Sequence, residues 1–180
     1  NLNGSKLYVT GVESKLEQIV ANLLDNAVSF SPSNGQINVL FMDETEIKEF
    51  TNKDTIYSAA EHVHKMGPEI VIVKKGEHGA IVTYEGEIFA IPAFPTQNVM
   101  DPTGAGDSFG GGFMGYMSSV KTLTSEHIRQ AIAFASVMGS LAVENFSIDR
   151  LIRVHSKEIH QRFEELFKIT NFDPKVDVKK

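Results

Sequence analysis

The heptapeptide Asp101-Pro102-Thr103-Gly104-Ala105-Gly106-Asp107 constrains this chain more than any other stretch, because it lies between an extended segment, Pro92 to Val99, and a run from Ser108 to Met117 that reads as a helix. Small residues let the backbone approach a ligand, and the first turn of a helix leaves N–H groups unpaired and pointing outward. Together these features make an anion hole. A carboxylate at Asp107 would stand beside any phosphate held there, an unfavourable place for a negative charge unless it removes a proton from an attacking hydroxyl. Gly104-Ala105-Gly106 taken alone is equally compatible with a tight turn and close helix packing. The loop is neither a Gly-x-x-x-x-Gly-Lys-Ser/Thr phosphate loop nor the Gly-x-Gly-x-x-Gly dinucleotide fingerprint.

Around this loop the apolar pattern predicts an α/β chain. Leu16, Ile19, Val20, Leu23, Leu24 and Ala27 recur at three and four, which predicts a helix over Val12 to Val28, ended by Ser31-Pro32-Ser33-Asn34-Gly35. Ile37, Val39, Leu40 and Phe41 predict a short buried strand. Asp43-Glu44-Thr45-Glu46 reads as the start of a helix, with acidic residues at the positive end of its dipole. A helix from Ile56 to Met66 should stop at Gly67-Pro68, and the β-branched run Ile70-Val71-Ile72-Val73 reads as an interior strand. Ala80 to Tyr84 and Ile88 to Ile91 flank Glu85-Gly86-Glu87 as a hairpin. Two further helices are expected, about 125–143 and 156–169. Gly110-Gly111-Gly112 would weaken an isolated helix by roughly 1 kcal/mol per residue, so close tertiary packing is expected there. Phe94, Phe109, Phe113 and Phe134 read as core.

The bulk properties exclude several classes. A chain of 180 residues, 42% hydrophobic and 22% charged, suits one globular domain with a packed core. The absence of cysteine rules out disulfides, thiolate catalysis and zinc sites built on Cys. A net charge of −6 argues against nucleic acid as a partner, since such proteins present a basic surface to phosphates. No apolar run reaches the roughly 18 residues of a membrane span, and the amino end lacks a secretory pattern, so a cytoplasmic location is expected. The missing initiator Met suggests a fragment or a processed chain. Lys74-Lys75 is the one basic pair placed to attract an anionic ligand; a solvated surface pair is the plain alternative. His78 reads as a surface residue, and His155 and His160 are spaced off a common helical face.

Asp101 to Phe109, followed by Gly111-Gly112-Phe113-Met114-Gly115-Tyr116, closely resembles the second sequence motif of the ribokinase family, the PfkB-type carbohydrate and nucleoside kinases. Val71 to Ala80 resembles that family's strand and nucleotide-contacting turn, and Asp43-Glu44-Thr45-Glu46 stands where its Asn-x-x-Glu element would be. The likeness runs from about 38 to 167. It implies a ribokinase-like α/β fold, a parallel-rich sheet flanked by helices, with the N-terminal half and lid missing from this chain. It further implies an ATP-dependent phosphotransferase acting on a hydroxyl of a sugar or nucleoside. By the same resemblance Asp107 is the general base, and the amides of Gly104, Ala105 and Gly106 stabilise charge on the transferred group. Lys74, Gly76 and Ser136 contact the nucleotide. Glu46, with Asp43 in place of the family's Asn, orders water around Mg²⁺, and Asp101 and Thr103 lie near a site for a monovalent cation such as K⁺. The plain alternatives are a solvated Lys74, a left-handed glycine at 76, a capping or surface Ser136 and an Asp101 bonded to its own loop.

Residues 12–37 resemble instead the N box of sensor histidine kinases, with Asn26 at the Mg²⁺-binding position, although no glycine-rich box follows downstream. Residues 1–37 are therefore expected to be foreign to a ribokinase-like half-domain spanning 38–180, through fusion or rearrangement; the alternative is an ordinary amphipathic helix. Two competing functions remain: a nucleotide-binding module without turnover, and a non-functional chimera. A half-sheet would leave an edge and apolar surface exposed, which a homo-oligomer could cover.

Overall fold

The structure is a computed structural model that describes residues 39–171. The helix expected over Val12 to Val28, the histidine-kinase resemblance and most of the polar tail lie outside the described residues. The chain runs through β1 (Val39–Asp43), α1 (Glu44–Thr51), α2 (Ile56–His64), β2 (Ile70–Lys74), β3 (Ala80–Tyr84), β4 (Glu87–Ile91), α3 (Ala105–Ser119), α4 (Ser125–Ala142) and α5 (Ser156–Thr170). Single 3-10 turns lie at Gly76–His78 and Leu151–Arg153.

The described sheet has four strands in the order β1-β2-β3-β4. β1 and β2 are parallel, in a register running from Val39 opposite Ile70 to Asp43 opposite Lys74. The other two pairings are antiparallel. Among the described residues the sheet is thus mixed rather than parallel-rich. Its second half is a hairpin whose two loop residues, Glu85 (φ 49°) and Gly86 (φ 79°), both have positive φ, the conformation that a two-residue turn needs to follow the strand twist.

Both faces of β1 and β2 are covered, which accounts for their unbroken apolar character. On one face Leu40, Met42, Val71 and Val73 pack with Ile47 of α1 and Ala59, Ala60 and Val63 of α2. On the other, Phe41, Ile70, Ile72, Val82 and Ile91 meet Phe113 of α3, Ile128, Ile132 and Leu141 of α4, and Leu166 of α5. Phe41 meets Phe113 edge to face at 5.5 Å, and Phe134 of α4 stacks on Phe163 of α5 at 4.5 Å. Burying each large aliphatic side chain contributes about 1.5–3 kcal/mol.

The glycine run in α3 divides in two. A Cβ at Gly112 would meet Met138 Cγ at 2.8 Å and Ala135 Cα at 3.0 Å, so this glycine lets α3 and α4 touch. Gly110 and Gly111 face open space, contrary to the expectation that all three serve packing.

Candidate functional site

A cleft of about 810 Å³ opens between the ends of β1 and β2 and the N-terminal turn of α3. Asp43 and Lys74 line it from the sheet, Gly76 from the turn after β2, Ala105, Gly106 and Phe109 from α3, and Ser136, Gly139 and Ser140 from α4. A loop from Ala93 to Val99 closes its apolar end with Phe94 and Pro95. Phe94 and Phe109, read from sequence as core, are therefore walls of the cleft as well.

Two adjacent elements place the charged end. Strands β1 and β2 finish side by side, so Asp43 and Lys74 are partners across the parallel pair. Gly104 then caps α3 with φ +80°, a left-handed conformation unfavourable for other residues. The Ala105 N–H donates to Pro102 O at 3.2 Å, and the first helical bond is Ser108 N–H to Gly104 O at 2.9 Å. Among the described residues no hydrogen bond takes up the N–H groups of Gly106 and Asp107. Of the expected amides Ala105 is thus engaged, while those of Gly104 and Gly106, like that of Asp107, have no hydrogen-bond partner among the described residues.

Lys74 is half-buried, and a Cβ on Gly106 would lie 3.0 Å from its Nζ. Among the described residues its side chain forms no ion pair or hydrogen bond. A cation held against the positive end of a helix dipole is repelled by it unless an anion lies between them.

The remaining expected residues are arranged differently. Asp43 Oδ1 accepts from Glu46 N–H and Glu46 Oε2 from Asp43 N–H, both at 2.8 Å, so the pair forms a capping box for α1. Each carboxylate keeps one oxygen uncommitted to the cap, and Asp43 also lines the cleft. Among the described residues no three His, Asp or Glu side chains converge on a metal position. Ser136 Oγ accepts from Phe94 N–H and donates to Pro92 O, each at 3.1 Å, so it ties the closing loop to α4. Asp101 Oδ1 accepts from Thr103 N–H at 2.9 Å, and these Thr103 contacts hold the Asp101 carboxyl below the usual range. Asp101 is thus bonded within its own loop, and neither it nor Thr103 lines the cleft. Asp107 is exposed on the first turn of α3, beside the cleft rather than in its wall.

The cleft also has an outer support. Glu144 accepts from Thr96 Oγ1 at 3.1 Å, from Arg150 Nε at 3.0 Å and from Arg162 at 2.7 Å. Arg150 and Arg162 also pair with Glu158, and the Arg162 guanidinium lies 5.2 Å over the Phe94 ring. Burial pushes the Glu144 carboxyl up, but hydrogen bonds from Arg150 and Arg162 outweigh it and hold the group below the ordinary carboxylate value.

Comparison with known proteins bears on the family and the fold. The model of the pfkB family carbohydrate kinases matches residues 18–151, beginning inside the segment that the sequence reading set apart as foreign. Nothing in the comparisons supports the histidine-kinase resemblance. The chain is 36% identical over 81 residues to cytidine kinase of Thermococcus kodakarensis, covering 44% of this chain and 29% of that protein. It is 37% identical over 115 residues to 2-dehydro-3-deoxygluconokinase of Haemophilus influenzae, covering 62% and 35%. The chain thus spans about a third of the length of these relatives. Aminoimidazole riboside kinase of Salmonella enterica, solved with aminoimidazole riboside and an ATP analogue, superposes with a TM-score of 0.66 at 21% identity, over 86% of this chain and 50% of that one. Ribokinase of Thermotoga maritima superposes at 0.59 with 26% identity, over 71% and 42%. The fold is ribokinase-like, and the chain belongs to the pfkB family of carbohydrate kinases.

Proposed function

We propose that this chain is the ATP-side half of a kinase that transfers the γ-phosphoryl group of ATP to a hydroxyl of a sugar or nucleoside. The observation that carries this reading is the meeting of Lys74 with the open first turn of α3, at one end of a cleft whose other end is apolar. Phosphates fit the charged end and a base fits between Phe94, Val99 and Val143. The kinases among its relatives support the same reading.

In this mechanism the N–H groups of Gly106 and Asp107, with the Lys74 ammonium, hold the phosphates and stabilise charge spreading onto the transferred group. Asp107, exposed beside that position, takes the proton of the attacking hydroxyl. Gly76 lets the turn after β2 pass along the nucleotide, and Ser136 shapes the base end by fixing Pro92 and Phe94. Mg²⁺ would neutralise phosphate charge when bound. The free carboxylate oxygens of Asp43 and Glu46 suit hydrogen bonds to its waters, not direct ligation. A K⁺ role for Asp101 and Thr103 rests on the resemblance alone.

Calorimetric titration with Mg-ATP, beside Gly104→Val and Asp107→Asn, tests the reading. Saturable binding lost in the glycine variant and kept in the aspartate variant is expected. In an assembled kinase Asp107→Asn should lower kcat by at least a hundredfold. Undiminished turnover would remove Asp107 as the base, and unchanged ATP affinity in Gly104→Val would remove the anion hole.

A further inference from the structure

Glu144 and Arg162 do not line the cleft, yet each touches a residue that does. Glu144 holds the Thr96 hydroxyl at 3.1 Å, and Arg162 covers the outer side of the Phe94 ring at 5.2 Å. Both are largely buried, with side chains 19% and 13% exposed, and their charges are balanced by Arg150 and Glu158. The loop from Pro92 to Met100 is otherwise tied to α4 only at its ends in these contacts, by Ser136 on Pro92 and Phe94 and by Met100 N–H on Val143 O at 2.7 Å. Its middle carries Thr96, and there the ion-pair network supplies the anchor.

We infer that Glu144 and Arg162 are positioning residues that set the base-end wall of the cleft from outside it, through Thr96 and Phe94. The inference rests on the nucleotide-site reading. It assigns to α5, which contributes no wall residue, control over affinity for the base half of the ligand and not over its phosphates. A planar guanidinium suits this task, since Nη2 bonds both Glu144 and Glu158, Nη1 donates to Ser140 Oγ at 3.3 Å, and its face lies against an aromatic ring.

Two probes separate the ends of the cleft. Arg162→Ala should weaken Mg-ATP binding about tenfold, equal to ~1.4 kcal/mol, and leave inorganic tripolyphosphate within about twofold. Thr96→Val, which removes a single hydroxyl, should show the same asymmetry on a smaller scale, and keeps the test available should Arg162→Ala fold poorly. Arg162→Lys should recover only part of the loss, because an ammonium cannot reach both carboxylates and Ser140 while lying face-on against the ring. Ile159→Ala, a half-buried α5 position outside the network, lowers stability as a control and should leave both affinities unchanged. If Arg162→Ala and Thr96→Val bind ATP like the parent chain, or lose ATP and tripolyphosphate in equal proportion, the positioning role is wrong while the nucleotide site stands. If the parent chain binds neither probe, the nucleotide-site reading fails and this inference with it.

Discussion

The ammonium of Lys74, at the end of β2, stands 3.0 Å from the point where a Cβ on Gly106 would lie, so the sheet and the first turn of α3 converge on one charged atom. Among the described residues neither that ammonium nor the N–H of Gly106 has a hydrogen-bond partner. An unneutralised cation at a helix N-terminus is an unfavourable pairing, and an anion between them satisfies both. Here the glycine's role is to leave room.

Gly106→Ala therefore pushes Lys74 aside without disturbing the fold, since the obstructed atom is the free end of a flexible chain. ATP affinity should fall about tenfold, or ~1.4 kcal/mol. Thermal stability should hold or rise by up to about 1 kcal/mol, because alanine is the better helix former. Calorimetry and a thermal melt on the same samples check both signs.

Lys74→Met keeps the length and apolar stem of the side chain while removing its charge. Binding of ATP should weaken by about 1.5–3 kcal/mol, the range for a charge-assisted hydrogen bond, and should become less sensitive to salt. The ligand-free protein should be at least as stable as before. A destabilised variant would show that Lys74 has a structural anchor instead.

The capping box separates structure from chemistry at Glu46. Glu46→Ala removes one of the reciprocal caps on α1 and should cost about 1 kcal/mol of stability. Glu46→Gln keeps an acceptor for the Asp43 N–H and should stay within about 0.5 kcal/mol of the parent. If Glu46 also orders metal-bound water, the Gln variant should need more Mg²⁺ for the same ATP affinity.

Glu144 makes stability depend on acid. Its folded carboxyl lies below the ordinary value of 4.5, so the unfolded chain binds this proton more readily. The contribution is fully present above that value and is lost as pH falls through the folded pKa. Wild type should thus lose melting temperature more steeply below about pH 4.5 than Glu144→Gln does, and the gap between them should narrow on acidification. Parallel curves from pH 7 to 3 would mean that Glu144 is not held in its charged form by Arg150 and Arg162.

Local signals were the legible ones. Gly67-Pro68 ends α2 near His64, the Glu85-Gly86 turn joins β3 to β4, and the apolar run from Ile70 gives a strand buried on both faces. The glycine-capped first turn of α3 was legible for the same reason, because the cap and the helix after it are contiguous in sequence. Thr96 and Glu144, 48 residues apart, belong to no pattern that periodicity or spacing can detect. The same holds for Arg162 over Phe94, which is fixed only once α5 has docked on α4. Ala105 shows a different limit: residue type located the amide, but its direction toward Pro102 O is a property of backbone geometry. The expected parallel pairing is seen in β1-β2, while the hairpin, correctly anticipated, makes the other two described pairings antiparallel.

Strand order in space matches strand order in the chain, β1-β2-β3-β4, and this bears on how the protein is made. Each strand leaving the ribosome after β1 meets its neighbour already synthesised, so the described sheet can form without waiting for distant sequence. The cleft cannot. Its walls from α3 and α4 emerge after the last described strand, and Arg162, which lies over Phe94, emerges later still. A nascent chain would hence acquire its described sheet first and its complete cleft last.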